Sequence, residues 1–182
     1  KVTGVQTCAL PILIWSLGIS MIVLAALIHF SKYFILAFSV VLIFGHNLLD
    51  NFHMDGRMFW SVIHERNIFK MSDDVNFYIE YPLIPWIAVM SLGYFFGTYY
   101  DPSFDPNKRK KSFNIIGIAA ISLFIILRSF NIYGESVPFD DNAMFSQALM
   151  SFLQLTKYPP SLLYLLVTLG VAFLFLANTE NV

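Results

Sequence analysis

Charge is scarce in this sequence. Only 13% of its 182 residues are Asp, Glu, Lys or Arg, while 57% are hydrophobic and the mean hydropathy is +0.66. A soluble domain carries about twice that charged fraction, so an ordinary water-facing surface is excluded and lipid takes the place of bulk solvent. The net charge of -1 leaves no excess of cations for a phosphate backbone, which excludes nucleic acid as a partner. Cysteine is nearly absent as well. Cys8 stands alone, so neither a disulfide framework nor a CxxC redox pair exists. HExxH, P-loop and GxSxG patterns are missing too. His53 and His64 match no metal spacing, and no metal is expected. Cys8 itself falls within Val2 to Ile12, VTGVQTCALPI, which looks like the in-frame translation of a sequencing-adapter oligonucleotide. Residues 1–12 are therefore set aside, as a tag would be, and residues 13–182 are taken as a partial membrane domain. On this expectation the chain is a fragment that began further upstream, with no natural end near Thr179 to Val182.

What remains is a series of apolar segments. Ile14 to Phe30, Tyr33 to Leu49, Tyr81 to Tyr100, Phe113 to Phe130 and Ser161 to Ala177 each approach the roughly twenty residues that span a hydrocarbon core. The expected fold class is all-α, a polytopic transmembrane helix bundle of about five spans. The third segment opens with Pro82 and Pro85. It carries Gly93 and Gly97 four apart on one face, a pattern that lets another helix approach closely. Asn51 to Glu80 reads as a long polar loop. Asp101 to Ser112 reads as a short loop whose run Lys108, Arg109, Lys110, Lys111 marks the cytoplasmic side, with contact to anionic lipid or a cofactor phosphate as a second use. Between Asn131 and Pro160, Phe145, Leu149, Phe152 and Leu153 recur at helical spacing, and Met144 to Leu155 is expected to form a short interfacial helix.

On this topology the polar residues collect at one membrane face. His46, Asn47 and Asp50 close the second span, Tyr81 opens the third, Arg128, Asn131 and Tyr133 end the fourth, and Lys157 and Tyr158 precede the fifth. An ionisable group at the rim of the hydrocarbon is expensive unless it faces a partner or a wet cavity, so one shared outward-facing pocket is expected. His46 and Asp50 share a helical face at i, i+4, where a carboxylate would hold the imidazole in one tautomer and make it a general base. They are the candidate catalytic pair. The plainer alternative is a helix ending in the headgroup zone. Asn47, Tyr81, Arg128, Asn131, Tyr133, Lys157 and Tyr158 are the candidate substrate-binding residues. Arg128 would bind an anionic group or pair with Asp50 or Glu135, or else snorkel to the interface. The tyrosines would otherwise belong to an aromatic belt.

GHNLLD (Gly45 to Asp50), YPLIPWIAVMSLGYFFG (Tyr81 to Gly97), LRSFNIYG (Leu127 to Gly134) and LTKYPPSLLYLLVTLG (Leu155 to Gly170) resemble, in that order, bacterial members of the heparan-alpha-glucosaminide N-acetyltransferase-like family. The resemblance implies a multi-span acyltransferase, here of the bacterial inner membrane, and the basic run sets its 101–112 loop on the cytoplasmic side. Such an enzyme takes an acetyl group from cytoplasmic acetyl-CoA and delivers it to the amine or hydroxyl of an envelope sugar. In that family the histidine assigned to catalysis precedes the part aligned here. The fragment alone would then be inactive, with His46 and Asp50 supporting the reaction. The implied partners are the lipid bilayer and a glycan acceptor, and a homo-oligomer is left open. The rival readings are a transporter or flippase of an envelope intermediate, with Arg128 and Lys157 on an anionic head group, and a structural membrane subunit.

Overall fold

The computed structural model describes residues 9–53, 58–72, 75–139 and 144–179; Val2 to Cys8, most of the adapter-like stretch, lie outside the described residues. The chain forms two units, Lys1–Phe95 and Phe96–Val182.

In the first unit, α1 (Ala9–Leu27) and α2 (Lys32–Gly45) are followed by a 3₁₀ turn, His46–Leu49. α2 starts where Ser31 accepts a hydrogen bond from the Phe34 amide at 3.2 Å, an N-cap that satisfies one of the helix's unpaired donors. Its buried stripe is Ile35, Ser39 and Ile43, and His46 continues it one turn on, while Val40, Val41 and Phe44 are exposed. That spacing of four, four and three is the inner face of a helix, so His46 is buried by its place in the pattern. Segment 51–80 is more structured than the polar loop expected from sequence. It holds a short helix, α3 (Met58–Ile63), and an antiparallel pair, β1 (Asn67–Ser72) and β2 (Val75–Ile79), with Asn67 opposite Ile79 and Phe69 opposite Phe77. α4 (Leu83–Gly97) begins just after Pro82 and has Pro85 in its first turn, where a missing N–H costs nothing.

The second unit contains α5 (Pro106–Ser129), α6 (Phe145–Leu153) and α7 (Leu162–Thr179). Asp105 caps α5 by accepting from the Asn107 amide at 2.8 Å, with Pro106 in the first turn. Lys108 to Lys111 therefore lie on the first turns of a helix and not in a loop, which corrects the boundary expected for the fourth span. α5 and α7 pack against one another through glycine. A Cβ added at Gly117 would stand 2.8 Å from the Gly170 carbonyl oxygen, and one at Gly170 would stand 2.8 Å from the Ile121 side chain. Phe113, Phe173 and Ala177 are buried beside this contact, with Phe96 and Tyr99 packed against them. The close approach expected of Gly93 and Gly97 is not found there: among the described residues nothing lies within 4 Å of a Cβ built on either. α6 falls within the helix expected at 144–155, with Phe145, Leu149, Met150 and Leu153 exposed.

Five helices fall on the five expected apolar segments, and the all-α membrane bundle class holds. Among the described residues three stretches are long and apolar enough to cross a membrane, Lys32–Leu49, Pro106–Ser129 and Leu162–Thr179, while Ile14–Leu27 forms a shorter apolar helix. At about 1.5 Å per residue, α4 is roughly 22 Å long, short of the roughly 30 Å hydrocarbon core.

Candidate functional site

The candidate residues fall into two groups, one in each unit. The first gathers where α2 tightens into its 3₁₀ turn. With three residues per turn, side chains at i and i+3 eclipse, and i+4 is swung about a third of a turn away. Asn47 and Asp50 therefore meet, the Asn47 amide donating to Asp50 Oδ2 at 2.7 Å. His46 Nδ1 turns back instead onto the carbonyl oxygens of Ile43, at 2.8 Å, and Leu42, at 3.2 Å. A carbonyl only accepts, so Nδ1 carries the hydrogen and the neutral ring keeps its lone pair on Nε2. The tautomer expected from His46 and Asp50 is thus fixed by the backbone.

The other Asp50 oxygen, Oδ1, lies 3.2 Å from Nε2 of His64. His64 is 2% exposed, directly after α3, and its Nδ1 has no hydrogen-bond partner among the described residues. The histidine held by the carboxylate is therefore one that sequence spacing left in a loop. Trp60 helps fix it, with ring centroids 5.5 Å apart, and Trp60 Nε1 donates to the Phe52 carbonyl at 3.0 Å. Burial pushes the Asp50 carboxyl up, but hydrogen bonds from His64 and Asn47 and the charges of His64 and His46 outweigh it, so its pKa lies below the usual carboxylate value. A carboxyl depressed in the folded state stabilises the fold above its unfolded pKa, and that stability is lost as pH falls through the folded value. In detergent, wild type should therefore be more stable than Asp50→Asn at neutral pH, and that advantage should shrink as pH falls, because Asp50→Asn has no such proton to bind. A stability difference that stays constant with pH would contradict this. Tyr81 lies half-buried before α4, its ring 6.0 Å from that of Trp86.

The second group surrounds a cavity of about 210 Å³ lined by Arg128, Asn131, Tyr133, Glu135 and Ser136, with Leu127, Pro138 and Leu163. Arg128 is 1% exposed. Its Nε donates to the Phe152 carbonyl at 3.1 Å, one terminal nitrogen to Val137 at 2.7 Å, and the other to Ser151 at 2.8 Å and Gln154 at 3.1 Å. Three of these carbonyls belong to the end of α6, where helical partners run out. The guanidinium thus clamps the negative end of a helix, with Glu135 lining the same cavity. Four of its five N–H groups are used in this way, leaving little for the substrate anion expected from sequence. Asn131 adopts a left-handed backbone, φ 46, which asparagine tolerates. Its side chain accepts from the Phe139 amide at 3.1 Å and donates to the Phe139 carbonyl at 3.5 Å, closing the loop.

Glu135 binds the loop to α7. Its carboxylate accepts from the Thr156 amide at 2.9 Å, the Ser161 hydroxyl at 2.9 Å, the Ser136 amide at 3.1 Å and the Thr156 hydroxyl. Ser161 in turn accepts from the Tyr164 amide at 3.1 Å, capping α7. Lys157 is exposed, its ammonium 5.2 Å over the Tyr158 ring; hydrogen bonding to Tyr158 raises its pKa above the ordinary lysine value. Among the described residues no cluster of His, Cys, Asp and Glu could hold a metal ion.

The family model described as heparan-alpha-glucosaminide N-acetyltransferase, catalytic, covers residues 12–138 of the 182. No curated protein and no solved structure matches.

Proposed function

As this chain belongs to the heparan-alpha-glucosaminide N-acetyltransferase catalytic family, we propose that it is the core of a membrane acetyltransferase that acetylates an envelope sugar from cytoplasmic acetyl-CoA. The observation that carries the reading, beside the family itself, is the buried His46, Asn47, Asp50 and His64 cluster at the end of a span-length helix. Acyl transfer needs a proton taken from the attacking amine or hydroxyl. Two histidines with fixed tautomers beside a carboxylate supply candidates for that task, and a chain that only anchors other subunits has no use for them.

The donor is a thioester carried on a nucleotide. Lys108 and Lys111, exposed on the first turns of α5, would hold its phosphates, which fits a cytoplasmic position for the basic run. The cavity in the second unit, about seven water volumes at roughly 30 Å³ each, is too small for the whole donor and is of the size of a sugar ring. Asn131 and Tyr133 would face that ring. The transporter reading asked Arg128 to hold an anionic head group, and the clamp on α6 leaves it poorly placed for that.

The test is to express the full reading frame in membranes and follow labelled acetyl from acetyl-CoA into sugar acceptors. Label is expected in the sugar, and His46→Ala is expected to transfer more slowly than wild type. Equal transfer by the two would remove His46 from the mechanism. Movement of an intact glycan across the membrane with no covalent change would favour the transporter.

A further inference from the structure

The cavity of the second unit is polar within and apolar at its border. It sits at one end of an antiparallel pair of span-length helices: Asn178 of α7 donates to Asn114 of α5 at 3.2 Å near the far end, Gly117 abuts Gly170 midway, and at the near end the Leu163 amide donates to the Gly134 carbonyl at 3.2 Å. Along the loop, lining and exposed residues alternate. Asn131, Tyr133, Ser136 and Pro138 line the cavity, while Phe130, Ile132 and Val137, next to them in the chain, are 72%, 66% and 61% exposed.

Those three side chains continue the outer side of α5. Ile115, Ile118, Ile125 and Ile126 are exposed, and at about 100° per residue they share one side of the helix with Phe130, whereas the buried Phe113, Gly117, Phe124 and Arg128 hold the other. Arg128, which lines the cavity, also ties α6 beside it through the carbonyls of Ser151, Phe152 and Gln154. α6 has no charged residue and exposes Phe145, Leu149, Met150 and Leu153; at roughly 13 Å it is too short to cross a membrane. A sugar arriving from water sheds its hydration and needs polar groups at the mouth to replace it. An apolar border does that poorly, and an exposed apolar surface that continues from a membrane span marks contact with hydrocarbon.

Resting on the acetyltransferase reading, we propose that the acceptor sugar reaches this cavity from the bilayer, carried on a long-chain lipid. The sugar ring occupies the cavity, and the first carbons of the tail lie on Phe130, Ile132 and Val137, with α6 along the bilayer surface beside them. The anchor raises the local concentration of the sugar, and apolar contact with the tail adds affinity that a free sugar lacks.

The experiment uses the full-length protein in phosphatidylcholine nanodiscs, with acetyl-CoA as donor and methyl and dodecyl glucosaminide as acceptor probes. The dodecyl glycoside should have the higher kcat/KM. In the combined variant Phe130→Ser, Ile132→Ser, Val137→Ser the ratio of dodecyl to methyl kcat/KM should fall by about tenfold, the worth of roughly two buried methylene groups. Partition of the probe into the bilayer is the same for both proteins, so a ratio unchanged by the variant overturns the proposal. A second measurement needs neither a variant nor turnover. A dodecyl glucosaminide with a diazirine beside its sugar, activated by light in wild-type nanodiscs, should label residues 130–137. Excess methyl glucosaminide should suppress that label but not any on Ile118, exposed on the outer side of α5. No label at 130–137, or label that the competitor leaves in place, overturns the proposal. Acetylation of neither glycoside by wild type overturns the acetyltransferase reading instead, and the labelling then decides the lipid route alone.

Discussion

Arg128→Ala will unfold more readily than wild type by about 3 to 5 kcal/mol, and α6 will come loose first. The side chain is 1% exposed and holds four backbone carbonyls. Hydrogen bonds to a charged group contribute about 1.5–3 kcal/mol each, and a buried acceptor left unmet costs about 1–3 kcal/mol. The sum is capped because water can reach some of the freed carbonyls at the end of α6. Arg128→Lys keeps the charge but loses the planar fork. One ammonium cannot reach carbonyls spread over Val137, Ser151, Phe152 and Gln154, so less than half of the loss should be recovered. Titrating each protein from mixed micelles with denaturing detergent gives the energies, and limited proteolysis across 144–155 reports on α6. Full rescue by lysine would mean that charge, and not the fork, is what α6 requires.

Gly117→Leu should separate α5 from α7. Already a Cβ at this position would stand 2.8 Å from the Gly170 carbonyl oxygen and from Leu174. Backbone oxygen cannot step aside as a side-chain tip can, so the helices must part. Gly117→Ala should cost about 1–3 kcal/mol, the range for overpacking, and leucine more. Gly93→Ala is the control. With nothing within 4 Å of its Cβ, it should be neutral or gain about 0.5–1 kcal/mol from helix propensity. The same micelle titration reads all three. If Gly93→Ala proved the more damaging, the small-residue contact would lie where the sequence pattern placed it.

That reversal shows what spacing can and cannot say. Gly93 and Gly97 form a regular small-residue pair, while Gly117 and Gly170 are 53 positions apart and meet only when two helices cross. Apolar run length is a local property, so the five helices were legible. The start of α5 was also written, in Asp105 and Pro106, but the basic run beside them reads equally well as a loop. The strand pair Asn67–Ser72 and Val75–Ile79 was hidden because its strands mix polar and apolar residues without clean alternation. The same limit applies to the site. His46, Asn47 and Asp50 were visible as a polar helix end, yet which of them pair depends on a switch from α to 3₁₀ winding that the letters do not announce. His64 joins Asp50 across 14 positions and has no motif. Arg128 stood out as a charge near a span end, but its partners are carbonyls, which every residue has.

The family match stops at residue 138, yet the structure does not divide there. Arg128 and Glu135 lie before that point, while most of their partners, from Ser151 to Ser161, lie after it. A gene cut to the matched region would leave an enclosed cation and an anchoring carboxylate stranded together. The unit that can be shortened, swapped or split between two polypeptides without harm therefore ends beyond the start of α7, and the matched region borrows its closure from the stretch that follows it.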